Sequence, residues 1–358
     1  MKVCILGNSL SSLTLAKALV NLKIFVEVMP SIKSLQINKS RTLGISKSNL
    51  EFFNSNIINI DKIIWKLKKI DIFSDNLKNE KLLNFENNKD QLFSILKNSE
   101  LYNVLDKNLK KNKYFKTIKI NEKKNFLESY DVVISTDYSS PVTKKYFTKK
   151  IIKKYNSFAY TTIIEHKKII NDTATQIFTK KGPLAFLPIS NNKTSIVYSI
   201  FNSKNYKNEK IKDLIHDYNF KYKIKKINNI ESFELKSFSL RSYYNHRFLA
   251  FGDLLHRIHP LAGQGFNMTL RDVKTFLEII EKRNDLGLSL DYSINSEFEN
   301  KTKHKNFIFA NGVDFIHEFF NFERKIQNNT LSKSIQFLGK QPSINKVFTN
   351  LADKGINI

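Results

Sequence analysis

The order of apolar and polar positions predicts alternating strands and helices at the start of the chain. Residues 2–7, KVCILG, form an apolar run that ends in glycine, as expected of a buried parallel strand. The next segment places three leucines at helical spacing after a predicted serine cap, Ser11 or Ser12. A second apolar run, KIFVEVM, completes a strand–helix–strand unit. Such a unit is the usual frame for a dinucleotide bound at a helix N-terminus.

The first turn of this unit keeps only part of the dinucleotide fingerprint. The pattern G-x-G-x-x-G falls on residues 7–12, where Gly7 is present but Ser9 and Ser12 replace the later glycines. Serine is small enough for a pyrophosphate to approach, although it lacks the freedom of glycine at positive φ. Met29 stands where a carboxylate would hold ribose hydroxyls. An ordinary strand–helix–strand unit without a ligand explains this segment equally well.

A second strand–turn–helix pattern, in residues 248–280, has a turn that is much richer in glycine. The predicted strand ends at Gly252 and Asp253, and a helix is predicted to begin near residues 264–267. Glycines before a helix let backbone N–H groups face a ligand, and the helix dipole favours negative charge there. Asp253 follows a strand and is placed to accept hydrogen bonds from a polyol. The pattern favours a cofactor with hydroxyls, phosphates and a ring that becomes anionic.

Residues 174–201 alternate strand-like runs with Lys-Gly and Asn-Asn turns, which predicts an antiparallel sheet. Alternate side chains on such a sheet usually belong to a plain core, whereas the family resemblance described below implies that this sheet covers a substrate cavity, which some of them would line. The candidates are Phe186, Pro188 and Tyr198.

Three phenylalanines lie at helical spacing nearer the C-terminal end, at Phe315, Phe319 and Phe322. This face is either part of the core or an apolar surface that, with nearby lysines, rests on a membrane or a partner.

The chain carries a formal net charge of +26 at pH 7. Either an anionic partner or a compositional bias towards lysine explains this charge. No nucleic-acid motif accompanies it, so nucleic acid is not predicted as a partner, whereas a peripheral contact with an anionic membrane stays open. The single cysteine, Cys4, and the lack of a Cys/His cluster predict no metal site and a cytoplasmic location, either free or on the inner face of the cytoplasmic membrane.

The glycine-rich segment resembles the signature of a known family. Residues 252–273, GDLLHRIHPLAGQGFNMTLRDV, resemble the Gly-Asp motif of the class A FAD-dependent aromatic hydroxylases, which are similar to p-hydroxybenzoate hydroxylase. The pattern is closest to that of the ubiquinone-biosynthesis hydroxylases, G-D-A-A-H-x-x-H-P-x-A-G-Q-G-x-N-x-G-x-x-D. Residues 40–53, 131–146 and 182–200 resemble other segments of the same family in the same order. The resemblance therefore covers nearly the whole chain.

The resemblance implies how the residues would hold FAD. Asp253, after Gly252, would bind the ribityl chain, and Pro260 would lie beside the isoalloxazine. Arg41 would lie near the pyrophosphate, and Asp137 would serve the second motif, Asp-Gly, between FAD and the pyridine nucleotide. The residues implied to present backbone to the pyrimidine end of the flavin and the nearby phosphate are Gly263, Gln264, Gly265, Phe266 and Asn267.

Departures from the family pattern fall mainly on the adenosine and nicotinamide side. Ser9 and Ser12 replace glycines beside Gly7, and the Asp-Gly motif reads Asp137-Tyr138. The electron donor, NAD(P)H or another reductant, is therefore left open.

The resemblance also implies an α/β architecture. A Rossmann-like FAD-binding domain similar to that of p-hydroxybenzoate hydroxylase is expected to interleave with a mainly antiparallel-sheet substrate domain, followed by a C-terminal helical region. The FAD-binding domain would take residues 1–66, 90–150 and 238–290. The substrate domain would take residues 67–89 and 151–237, and the helical region residues 291–358.

Two functions are compatible with this resemblance. The first is a monooxygenase that hydroxylates a polyprenyl phenol in ubiquinone biosynthesis, with O2 as co-substrate and a flavin C4a-hydroperoxide as oxygen donor. The flavin would carry this chemistry, so no catalytic side chain is predicted. The second is a degenerate, non-catalytic component of a quinone-biosynthesis assembly. In both cases other quinone-biosynthesis proteins are expected partners.

Overall fold

The computed structural model describes residues 1–31, 40–77, 80–86, 91–119, 126–202, 206–258, 263–326 and 330–355. Its strands are β1 (Lys2–Leu6), β2 (Phe25–Met29), β3 (Thr42–Ser46), β4 (Trp65–Leu67), β5 (Lys69–Ser74), β6 (Lys81–Glu86), β7 (Phe93–Lys97), β8 (Phe115–Thr117), β9 (Val132–Ser135), β10 (Lys150–His166), β11 (Thr173–Thr179), β12 (Gly182–Ser190), β13 (Lys193–Phe201), β14 (Ile224–Ile227), β15 (Glu231–Leu240), β16 (Tyr244–Asn245), β17 (Phe248–Ala250) and β18 (His256–Arg257). Its helices are α1 (Leu10–Asn21), α2 (Lys47–Asn56), α3 (Asn98–Leu109), α4 (Pro141–Tyr146), α5 (Asn208–Asp217), α6 (Gln264–Asp285), α7 (Ile294–Ile326), α8 (Thr330–Gly339) and α9 (Pro342–Lys354).

A mostly parallel sheet contains the first strand of the chain. Its strand order is β16-β17-β9-β1-β2-β8, and only β16 and β17 pair antiparallel. Every residue of β9 and all but the first of β1 are buried, which explains their continuous apolar runs. The chain moves from β1 to β2 on one side and returns to β9 on the other. The carboxyl end of β1 is therefore the switch point where such sheets bind ligands.

A second, mainly antiparallel sheet has the order β18-β15-β10-β13-β12-β11-β5-β6, with β14 also paired to β10. The hairpins expected in residues 174–201 are confirmed, because β11 pairs with β12 and β12 with β13 in antiparallel register. Buried side chains of α5, among them Ile211 and Ile215, cover one face of this sheet.

A short antiparallel sheet, β3-β7-β4, links these two parts of the fold. Its strand β3 contacts α6, and β4 and β7 contact β12. The hydroxyl groups of Thr42 on β3 and Ser195 on β13 lie 2.9 Å apart. This small sheet therefore carries β3 to a position between the main sheets.

The helices after β18 complete the fold. α7 packs against α6, and its Phe298 is fully buried, with its ring centroid 5.5 Å from those of both Phe251 and Phe276. α8 lies on β6, and α9 lies on α2. The expected α/β class, with an antiparallel sheet and a C-terminal helical region, is confirmed. The proposed domain boundaries stay a prediction.

The three phenylalanines on α7 lie mainly at the surface. Phe315 is 69% exposed and Phe322 is 56% exposed, whereas Phe319 is half-buried. This placement favours the surface alternative over the core alternative. None of the described helices combines the length and the apolar character needed to cross a bilayer.

Candidate functional site

The turn between β1 and α1 forms the first part of the candidate site. Gly7 has a φ of 111°, and a Cβ there would lie 2.5 Å from Thr136 Oγ1, so glycine is required. Ser9 caps α1, because its Oγ accepts a hydrogen bond from the N–H of Ser12 at 3.3 Å. The predicted cap, Ser11 or Ser12, was wrong because the helix begins earlier than its leucine spacing indicates.

The serine at the third fingerprint position has a structural role. Ser12 is fully buried, and its Oγ lies 2.6 Å from Thr136 Oγ1 and 3.0 Å from Ser9 Oγ. These contacts satisfy the buried hydroxyl and join α1 to the residue that follows β9. The substitution of serine for glycine is therefore compatible with the close helix–strand packing that the third glycine normally permits.

The turn after β17 lies directly against the first turn of α1. Gly252 has a φ of 65°, and a Cβ there would lie 2.6 Å from Ser11 Cβ. Asp253 follows in the same short 3-10 turn and is exposed. The structure therefore brings Gly252 and Asp253 to the helix N-terminus that begins beyond Gly7.

Asp137 and Tyr138 adjoin both turns. A Cβ on Gly7 would lie 3.1 Å from Asp137 Cβ. The Asp137 carboxylate accepts hydrogen bonds from the N–H and the hydroxyl of Ser139, each at 2.8 Å, and so organises the turn before α4. The Tyr138 hydroxyl donates to the backbone oxygen of Asp253 at 2.5 Å. Burial raises the pKa of the Tyr138 hydroxyl, so this group stays protonated and remains a donor.

The start of α6 forms the other end of the site. Gly263 caps the helix in the left-handed conformation, with a φ of 63°, and a Cβ there would lie 3.1 Å from the backbone N of Gly44. A Cβ on Gly265 would meet nothing within 4 Å, so contacts within the described chain do not require glycine there. Gln264 and Phe266 are buried. Open space beside Gly265 fits a ligand that approaches the backbone.

Asn267 ties this end of the site together through its side chain. Its Oδ1 accepts hydrogen bonds from the N–H of Ser46 at 3.0 Å and from Asn49 Nδ2 at 3.1 Å. Its Nδ2 donates to the backbone oxygens of Gly44 at 3.1 Å and Gly263 at 3.3 Å. Asn267 is fully buried, so these bonds form without competition from water. The side chain thus joins α6 to β3 and α2.

A buried histidine–aspartate pair links the Gly-Asp turn to α6 and α7. His256 Nε2 lies 2.8 Å from Asp272 Oδ2, and Asn306 Nδ2 donates to Asp272 Oδ1 at 2.8 Å. Among the described residues, no group of histidine, cysteine and acidic side chains is suited to a metal ion. These hydrogen bonds give His256 a structural role, holding β18 against α6. Sequence reasoning missed Asp272, although it is the last acid of the matched motif.

The end of α9 also contacts this site, which no sequence signal indicated. Asp353 Oδ1 accepts a hydrogen bond from the N–H of Ser48 at 2.8 Å, and the Asp353 backbone oxygen accepts from the Ser46 hydroxyl at 2.8 Å. Gly355, with a φ of 74°, lies against Arg271, where a Cβ would be 2.9 Å from Nε. Burial lowers the pKa of the Arg271 guanidinium to about 10. The chain therefore uses its last described helix to cap α2.

Two further predicted cofactor residues are Arg41 and Pro260. Arg41 is exposed one residue before β3, and its backbone oxygen accepts a hydrogen bond from the N–H of Asn98 at 3.1 Å. Pro260 lies outside the described residues. The roles of both residues stay predictions.

The candidate substrate residues lie in the core of the antiparallel sheet. Phe186 and Tyr198 are buried in the core that α5 covers. Pro188 lies two residues after Phe186 and therefore on the same face of the sheet. Ser195, on β13, points to the opposite face, where it contacts β3. The structure therefore favours the plain-core alternative for these residues.

Comparison with known families supports an FAD site. The family described as "FAD binding domain" matches residues 121–281, which is less than half of the chain. Over 156 residues the chain is 28% identical to the 3-demethoxyubiquinol 3-hydroxylase of Escherichia coli (strain K12), covering 42% of this chain and 40% of that protein. Over 144 residues it is 26% identical to the ubiquinone hydroxylase UbiL of Rhodospirillum rubrum, and the match covers 37% of this chain and 33% of that protein. These relatives confirm the resemblance, although each match spans less than half of the relative.

Solved structures confirm the fold over almost the full chain. The p-nitrophenol 4-monooxygenase PnpA of Pseudomonas putida DLL-E4 superposes with a TM-score of 0.78 at 12% identity, covering 100% of this chain and 99% of that chain. Klebsiella pneumoniae HpxO, solved with FAD and uric acid, superposes with a TM-score of 0.75 at 12% identity. The superposition covers 99% of this chain and 97% of that chain. At this identity the likeness shows the shared fold.

Replacing Asn267 by alanine tests the tie between α6 and β3. We expect Asn267→Ala to lower the free energy of unfolding by about 2–4 kcal/mol, because several buried polar groups lose their partner. Urea unfolding of the cofactor-free protein measures this change. In the control Asn311→Ala, an exposed amide that donates within α7 is lost, and we expect a change below about 0.5 kcal/mol. Equal effects of the two variants would contradict the structural role of Asn267.

Replacing Asp353 tests the cap on α2. We expect Asp353→Ala to lower the free energy of unfolding by about 1 kcal/mol, because the helix loses both an acceptor and a favourable negative charge at its N-terminus. Asp353→Asn keeps an oxygen acceptor, so its free energy of unfolding should fall less than that of Asp353→Ala. Thermal or urea unfolding measures both variants beside Asp213→Ala, which removes an exposed carboxylate from α5. A loss in the Asp213 variant as large as in Asp353→Ala would argue against the cap.

Proposed function

We propose that this chain, which carries an FAD binding domain, is an FAD-dependent monooxygenase that hydroxylates the aromatic ring of a polyprenyl phenol intermediate in ubiquinone biosynthesis. The chief support is the convergence of the Gly-Asp turn and the β1–α1 turn at the N-terminus of α1, beside the switch point of the parallel sheet. The chain spans about two fifths or less of the ubiquinone-hydroxylase relatives named above. Their activity is therefore carried over as a proposal.

The residues at both ends of the site fit FAD. The first turn of α1 contains no acidic residue, so the positive end of its dipole is available to a pyrophosphate. Asp253 is exposed beside that turn and can accept hydrogen bonds from ribityl hydroxyls. The first turn of α6 also lacks acids, and the open side of Gly265 lets the ring approach its backbone. We therefore assign the adenosine end of FAD to α1 and the ring end to α6.

Bound FAD would supply the activation of O2 and the transfer of an oxygen atom to the substrate. The chain itself would position the cofactor and polarise its ring. The N-terminus of α6 would stabilise negative charge at the near edge of the ring.

A second candidate is a non-catalytic component of a quinone-biosynthesis assembly. One observation favours it: Tyr138 occupies the glycine position of the Asp-Gly motif and donates its hydroxyl to the backbone of Asp253. The two candidates differ in whether the purified protein holds flavin and turns over.

Asp253→Ala should weaken FAD binding without unfolding the chain. Loss of a charged acceptor for the ribityl chain should raise the Kd for FAD about tenfold to a hundredfold. The carboxylate is exposed, so the unfolding of the cofactor-free protein should change little. Flavin fluorescence titration measures Kd, with Asp213→Ala as the matched control. Unchanged flavin affinity in Asp253→Ala would show that the Gly-Asp turn is wrongly assigned.

Deletion of the gene tests the reaction itself. The proposal expects a ubiquinone precursor that lacks one ring hydroxyl to accumulate, and a plasmid copy of the gene to remove it. Mass spectrometry of the quinone extract identifies the precursor and the ring position. If the protein binds FAD but the deletion leaves all hydroxylated intermediates unchanged, the proposed substrate is wrong while the cofactor assignment stands.

A further inference from the structure

The outer side of α7 carries a stripe of exposed side chains. Exposed residues recur along the helix at alternating spacings of three and four, the spacing of positions that face one neighbouring helix. These residues, here called the α7 stripe, are Lys301, His304, Ile308, Asn311, Phe315, Glu318 and Phe322. From its first to its last residue the stripe runs along about 32 Å of helix. The sequence thus repeats a contact pattern on the side of α7 that faces away from α6.

Two features of the α7 stripe indicate a closely packed neighbour. Ile308, Phe315 and Phe322 are large apolar side chains that are exposed to water. Gly312, beside the middle of the stripe, is also exposed, and a Cβ there would meet nothing within 4 Å. Glycine is unfavourable in a helix interior, and contacts within the described chain do not require it at this position. A second helix that crosses here would explain it, because a residue without a side chain lets two backbones approach.

The α7 stripe is complementary to itself when a second copy of the helix runs in the opposite direction. A two-fold axis at Asn311, in the middle of the stripe, relates positions that lie equally far before and after it. Ile308 precedes Asn311 by three residues and Phe315 follows it by four, so each Ile308 lies opposite Phe315 of the second copy. The two apolar contacts flank the axis, with Gly312 at the crossing point.

The charged residues of the α7 stripe also favour the antiparallel direction. His304 and Glu318 each lie seven residues from Asn311, so a basic side chain faces a carboxylate of the second copy. Lys301 lies opposite Phe322, where its aliphatic stem covers the ring. A parallel pair would instead set Glu318 against Glu318 and Lys301 against Lys301, and like charges repel. Charge therefore selects one direction of pairing.

We propose that the α7 stripe is the interface of a homodimer, in which α7 packs antiparallel against α7 of a second copy of the chain. Two-fold dimers use the same surface on both copies, so each contact occurs twice. A protein neighbour suits the stripe better than a bilayer, because the carboxylate of Glu318 lies between Phe315 and Phe322 and would have to leave water with them. The proposal does not depend on the proposed hydroxylase activity.

Engineered cysteines test the register of this dimer, because the native Cys4 is buried. In Asn311→Cys the two thiols meet at the axis, so mild oxidation should link the protein into covalent dimers. Ile308→Cys and Phe315→Cys should each crosslink poorly alone but readily when the two variants are mixed. Non-reducing gel electrophoresis measures the linked fraction. If Ile308→Cys and Phe315→Cys link only to themselves, or if Asn311→Cys links no better than the control Lys225→Cys on β14, the proposed pairing is wrong.

Analytical ultracentrifugation of the full-length protein loaded with FAD measures the dissociation constant of the dimer. Phe315→Asp and Gly312→Leu should each raise it about tenfold or more, the first by loss of an apolar contact and the second by separating the helices. Ile170→Asp, at a side chain that is 85% exposed outside α7, should leave it unchanged. Circular dichroism and flavin content verify that each variant is folded.

Three results would overturn the proposal. The first is an unaltered protein that sediments as a monomer at the highest protein concentration. The second is a dimer that Phe315→Asp and Gly312→Leu weaken no more than Ile170→Asp does. The third is a monomer that floats with lipid vesicles and loses this binding in Phe315→Asp, because the α7 stripe would then contact a bilayer.

Discussion

The hydrogen bonds of one buried amide hold the α6 end of the candidate site together. Asn267 binds the N–H of Ser46, 221 residues earlier in the chain, and the backbone oxygen of Gly44. A buried polar group that loses its partner costs the free energy of its desolvation, so this arrangement resists small displacements. The backbone of β3 and the start of α6 are thereby fixed relative to each other. An approaching ring would meet a surface that is already formed.

At the two ends of the site, different residues allow neighbouring segments of the chain to pack closely. At the α6 end the chain uses glycines, with Gly263 in a left-handed conformation against Gly44. At the α1 end it keeps glycine at position 7 and uses small hydroxyl side chains, where Ser12 and Thr136 satisfy each other across the helix–strand contact. Serine can replace glycine at position 12 because the hydroxyl of Thr136 lies within hydrogen-bond distance of the Ser12 hydroxyl. Degeneration of a glycine fingerprint is therefore a weaker argument against cofactor binding when the replacing serines are paired.

Sequence periodicity predicted the elements whose pattern is local. The β1–α1–β2 unit, the hairpins of residues 174–201 and the start of α6 were all confirmed. Strand alternation could not say which face of β12 and β13 is covered by α5, so Phe186, Pro188 and Tyr198 were left open between a substrate cavity and a plain core. The contacts of Asp272 and Asp353 join segments distant in sequence, and no local pattern encodes them. The cap of α1 was misplaced because leucine spacing marks the buried face of a helix more sharply than its end.

The contact between Asp353 and Ser48 also bears on the order in which the protein is made. The segment that contains β3 and α2 leaves the ribosome long before residue 353 is joined to the chain, 305 residues later. Until then the N-terminus of α2 lacks its carboxylate cap, and the bond between Ser46 and Asn267 has to wait for the synthesis of residue 267. The α1 end is complete only when Gly252 arrives. Loading of the cofactor is thus expected to follow translation of nearly the whole described chain, so a truncated product would not compete for flavin.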